Sequence, residues 1–195
     1  VKKSCSTLFV KSAIALALAA PMLASAESQL VVGSGTAAAD LNFRVVVPRV
    51  LFLAVGTGAA GLANNTTEDT VTFDYTTNPA DLGTGAAAGA INGNVVPVKV
   101  LGNNGVVALT STNTGALTNA TGDTIPWSQI TVASSDTPNF PSPAPTGASV
   151  NLVVSSGKVT SRTANWTFGY ANAAVVAPGT YGTTNGKVTY TASMP

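Results

Sequence analysis

Every second residue of the stretch Val188-Thr189-Tyr190-Thr191-Ala192 is apolar, and the same two-residue beat recurs along most of the chain. Successive side chains alternate between faces only in an extended strand, so this beat selects β-structure with one buried face. Ala37, Ala39, Leu41, Phe43, Val45 and Val47 share one parity, opposite Ala38, Asp40, Asn42 and Arg44. Val71, Phe73 and Tyr75 repeat the pattern, as do Val96, Val98 and Val100, then Val150, Leu152 and Val154, then Ala164, Trp166, Phe168 and Tyr170. Val50 to Val55 is almost wholly apolar, which predicts a strand buried on both faces. Trp127, Ile130 and Val132 predict another strand. Asn103-Asn104-Gly105 stands between two apolar runs and predicts a hairpin, because Asn and Gly accept the positive φ of a tight reversal. Residues 57–69 and 76–94 read as loops, and the four prolines from Pro138 to Pro145 as a stiff connection that cannot join a ladder throughout. About eight to ten strands at this spacing predict one all-β domain, an antiparallel Ig-like β-sandwich.

The first residues predict export. Lys2, Lys3 and Lys11 precede or flank the apolar run Ala13–Ala20, Pro21 breaks it, and Ala24-Ser25-Ala26 is a small-x-small cleavage site. The run is shorter than the ~20 residues of a membrane-spanning helix. Residues 1–26 are therefore expected to be a signal peptide, residues 27–195 the β-domain, and no membrane span is expected after processing. Of nine basic residues, Lys2, Lys3 and Lys11 leave with the leader; six then face eight acidic ones, a formal charge of −2. No basic patch remains to attract phosphate backbones, so nucleic acid is not an expected partner. Cys5 also leaves, so the processed chain has no disulfide and must rest on its core.

The same chain holds no His. Together with the loss of Cys5 this removes the usual neutral-pH base, the Ser-His and Cys-His nucleophiles and the common zinc sites. Paired carboxylates are the remaining catalytic option, but the acids fall in turns or on a polar strand face, where Asp ordinarily holds backbone. Asn64, Asn65, Glu68 and Asp69 are oxygen-rich yet lack the spacing of an EF-hand loop. The expectation is a protein that is not an enzyme and has no cofactor. Trp166, Phe168, Tyr170, Tyr181 and Tyr190 cluster late in the chain, and the shared parity of the first three assigns them to the core rather than to a sugar-stacking platform. Trp127 stands apart as the candidate ligand-facing aromatic.

The leader, the alternating opening strand and the closing Pro178-Gly179-Thr180-Tyr181 and Val188-Thr189-Tyr190-Thr191-Ala192 resemble bacterial fimbrial (pilin) subunits. The chain departs from that pattern in lacking a cysteine pair and in carrying Met194 at the penultimate position. The resemblance implies a structural subunit of a surface filament, moved through the periplasm to the cell surface or an extracellular fimbrium. It also implies homo-oligomeric assembly, with a periplasmic chaperone and an outer-membrane assembly factor as partners. On this reading Ala37, Ala39, Leu41, Phe43, Val45 and Val47 form the subunit-interaction strand, and residues 27–47 are either a strand donated to a neighbour or an ordinary first strand. The other reading is a monomeric secreted adhesin or carbohydrate-binding sandwich that uses Trp127.

Overall fold

The computed structural model describes residues 28–58 and 61–195; the expected signal peptide lies outside the described residues. The chain divides into two units, residues 1–47 and residues 48–195. In the first, residues 28–47 carry no strand or helix, and the Ala38 N–H donates to the Gln29 side-chain oxygen at 3.0 Å. Ala37 to Val47 thus has the alternation of a strand without a ladder, because a strand exists only where a neighbour satisfies its backbone groups.

The second unit, the body, contains β1 (Leu51–Val55), β2 (Thr72–Asp74), β3 (Ala90–Asn92), β4 (Val95–Gly102), β5 (Ala108–Asn113), β6 (Leu117–Thr118), β7 (Thr124–Ile125), β8 (Ile130–Ser134), β9 (Ser149–Asn151), β10 (Thr160–Tyr170) and β11 (Val188–Ser193). All pairings are antiparallel. One sheet has the order β1-β4-β10-β8 and the other β11-β5-β9, with β2-β3 and β6-β7 as small ribbons. The protein is all-β and sandwich-like, as the alternation predicts.

The core lies where the alternating faces of the two sheets meet. Val96, Val98 and Val100 of β4 and Ala164 and Trp166 of β10 pack with Val107, Leu109, Phe140 and Leu152. Each such side chain contributes about 1.5–3 kcal/mol on burial. Trp166 is fully buried between Phe140, at 5.9 Å between ring centroids, and Tyr190, at 5.0 Å. The proline-rich connection from β8 to β9 belongs to this core, since Phe140, Pro143 and Pro145 are all buried.

Four sequence expectations are corrected by the fold. Residues 76–94 are not loop throughout, since they hold a 3-10 turn at Pro79–Asp81 and the strand β3, which pairs with β2. Asn103-Asn104-Gly105 is not a hairpin: β4 and β5 lie in different sheets, and the loop carries the chain across the core. Gly105 does adopt positive φ (103°), but its N–H donates to the Lys158 carbonyl and its carbonyl accepts from the Thr160 hydroxyl. Burying Val96, Val98 and Val100 against Val107 and Leu109 requires opposed faces, which a hairpin does not supply. The Val50–Val55 run is not a central strand, because β1 is a half-buried edge strand. Trp127 is not in a strand, since Trp127–Gln129 is a single 3-10 turn leading into β8.

Candidate subunit-interaction surface

Among the described residues, the alternating segment carries no ladder and β1 ends its sheet as an edge strand. Leu41, Phe43, Val45 and Val47 are 76, 85, 85 and 72% exposed, and Ala37 and Ala39 are exposed as well. Soluble monomers rarely leave so continuous an apolar set in water.

The geometry of the open edge follows from register. β1 pairs with β4 in the order Leu51 with Gly102 through Val55 with Val98. At its two ends the Gly56 N–H donates to the Pro97 carbonyl and the Asn103 N–H to the Val50 carbonyl. In an antiparallel ladder bonded pairs alternate, so residues 50, 52, 54 and 56 turn their backbone groups to β4. Leu51, Leu53 and Val55 therefore turn theirs away from the sheet. Beside them runs an open trough of about 370 Å3, lined by all of β1 and by Ala63, Asn64, Asn65 and Thr67. The same reasoning on β11, bonded to β5 through Thr189, Thr191 and Ser193, turns the backbone of Tyr190 and Ala192 outward. β1 also lies alongside β11. Neither strand carries the charge or proline that commonly blunts an edge.

The residues on either side of β1 are tied down. The Val50 N–H donates to Asn103 Oδ1 at 2.8 Å, Asn103 Nδ2 donates to the Pro48 carbonyl at 2.7 Å, and Arg49 donates to the carbonyls of Met194, at 2.9 Å, and Pro195. At the other end Asp69 accepts from the Thr57 N–H and hydroxyl. Asn65 accepts from the Thr67 N–H, and Glu68 pairs with Lys187. The side chains of Asn65, Glu68 and Asp69 are thus directed to three different loop partners. Among the described residues no group of three or more His, Cys, Asp or Glu is placed to hold a metal ion.

Trp127 is half-buried, and its indole N–H donates to the Gly115 carbonyl at 2.7 Å. Of the late aromatics, Trp166 is core, Phe168 and Tyr190 pack against the core, and Tyr170 joins Phe73 and Tyr75 at 6.3 and 6.1 Å. Burial pushes Tyr190 up to about 12. Among the described residues its hydroxyl and the Trp166 indole N–H have no hydrogen-bond partner. Hydrogen bonds from the Thr76 backbone and side chain hold Asp74 below the usual carboxylate range, and those from Thr121 and Asn119 do the same for Asp123. A second, polar cleft of about 480 Å3 lies between β5, the start of β11 and the Gly182–Lys187 loop, and Trp127 does not line it.

The sequence located the alternating segment by its own pattern. It did not reveal that β1 is an edge strand, because an uncharged run such as Leu51 to Val55 reads alike at a sheet's centre and at its edge. It also missed Arg49 and Asn103, whose partners are distant in sequence. No protein-family model, characterised protein or solved structure matches this chain.

Proposed function

We propose that this protein is a structural subunit of a surface filament, assembled when the segment from Ala37 to Val47 of one copy adds as a strand to the open edge of β1 in the next. The observation that carries the reading is the coexistence of that exposed alternating segment with an uncharged edge strand beside an open trough. Strand addition draws affinity from main-chain hydrogen bonds and fit from alternate side chains, and this pair of features offers both. Burial of Leu41, Phe43, Val45 and Val47 adds about 1.5–3 kcal/mol each. A donor and an acceptor at different places on one chain make a head-to-tail contact, which propagates as a filament when it does not close into a ring. The scarcity of charge, with charged residues at 9% of the chain, leaves little to keep copies apart.

Electron microscopy of the purified chain beginning at Glu27 tests this. Filaments are expected, and removal of residues 27–47 abolishes them while the body still folds, because the buried core is drawn from residues 96–166. A strictly monomeric full chain at high concentration is the outcome that ends the proposal.

A further inference from the structure

The segment that precedes β1 has two possible acceptors of the same chemistry: β1 of another copy and β1 of its own chain. A three-residue reversal at Pro48–Val50 is an ordinary hairpin length and would set Val47 opposite Leu51, Val45 opposite Leu53 and Phe43 opposite Val55. Those are the β1 residues whose backbone groups turn outward. Self-closure of this kind would satisfy the edge and bury the apolar set without any partner, and at low concentration it would win, since an intramolecular strand has a high effective concentration.

The body holds the three residues that would have to reverse. Asn103 bonds to both sides of the reversal, accepting from the Val50 N–H and donating to the Pro48 carbonyl, and its own N–H donates to the Val50 carbonyl. Arg49, the middle residue of such a turn, donates to the Met194 and Pro195 carbonyls. Val50 opposite Asn103 continues the β1–β4 register, so this stretch is a prolongation of β1 rather than a turn. The three-residue hairpin cannot form while these bonds last.

We propose that Asn103 and Arg49 are positioning residues that forbid self-closure and so reserve the β1 edge for the segment of a second copy of this chain. This inference rests on the filament reading and names what selects between copies. Its counterpart is that loosening the clamp yields closed monomers in place of polymer.

The test compares the chain from Glu27 with its Asn103→Ala variant over a concentration series, with mass measured in solution and amide exchange read at Leu53 and Val55. In the unaltered chain those two amides exchange freely in the monomer and become protected only on polymerisation. In the variant, the loss of two side-chain hydrogen bonds shifts the closed-to-open ratio by about tenfold or more. Its monomer then persists to about tenfold higher concentration, with both amides protected in the monomer. Asn103→Asp keeps the acceptor for Val50 and loses the donor to Pro48; it gives a smaller shift in the same direction and carries the test should the alanine variant not fold. Polymerisation of both variants at the original concentration overturns the clamp and leaves the filament reading standing. Variant monomers whose Leu53 and Val55 amides stay unprotected overturn it too. A parent chain that never polymerises removes the filament reading and this inference with it.

Discussion

Replacing Tyr190 by Phe deletes one oxygen from the edge of the core and isolates its energetic effect. That hydroxyl is buried without a partner among the described residues, while its ring packs tilted against Trp166 with 5.0 Å between centroids. An unsatisfied buried polar group costs about 1–3 kcal/mol, and removing the group recovers part of that. The ring, its packing and the β5–β11 ladder are unchanged, so Tyr190→Phe is expected to stabilise the fold by about 1 kcal/mol at pH 7. The pH dependence gives an independent check. Burial raises the folded pKa of Tyr190 from 10 to about 12, so the native state favours the neutral phenol. This contribution is complete below about pH 10 and is lost as pH rises toward about 12; the loss is about 1 kcal/mol at pH 11 and about 2 kcal/mol at pH 12. The phenyl ring of the variant cannot ionise, and the other tyrosines titrate alike in both proteins. Urea unfolding followed by tryptophan fluorescence should therefore show a gap that widens from about 1 kcal/mol at pH 7 to about 2 kcal/mol at pH 11. A variant less stable than its parent at pH 7, or a gap that stays constant with pH, would refute the account of this hydroxyl.

Trp166→Ala opens a cavity at the meeting point of both sheets and should cost about 3–5 kcal/mol in the same denaturation assay. Asn172 is fully buried at positive φ (49°) and ties together the Gly83 N–H and the Asp81 and Ala86 carbonyls. Asn172→Ala strands those groups and should cost about 3 kcal/mol, read as a lowered thermal midpoint. Leu53→Pro removes an N–H that points away from β4 and should abolish polymer in sedimentation, whereas Ala192→Pro, the matching change on β11, should leave polymer if β1 is the acceptor. Phe43→Asp should weaken assembly by at least about tenfold through lost burial alone, with the body's thermal midpoint unmoved.

What could be read from the residues was local. The alternation of Val188 to Ala192 and of Ala164 to Tyr170 places their apolar sides correctly, because side-chain parity is a property of the strand itself. Strand neighbours were not legible in the same way. Asn103-Asn104-Gly105 has the residues of a tight hairpin, yet the demand that Val100 and Leu109 share one core from different sheets overrides local turn preference. Leu51 to Val55 has the apolarity of a central strand, yet β4 takes the inner place because it can pair on both sides and bury Val96, Val98 and Val100 completely enough to anchor the core. At the proposed interaction surface the segment proposed as donor was visible as a pattern from Ala37 to Val47. The edge proposed as acceptor depends on which strand the others leave outermost, and no short stretch of sequence encodes that.

The most direct measurement takes the body alone, residues 48–195, and adds a synthetic peptide spanning residues 36–47 while amide exchange is followed by NMR. Slowed exchange at Leu53 and Val55 on peptide addition, with even-numbered β1 amides unchanged, is the predicted result. Unaltered exchange at Leu53 and Val55 at saturating peptide would contradict the claim that this segment completes a neighbour's sheet.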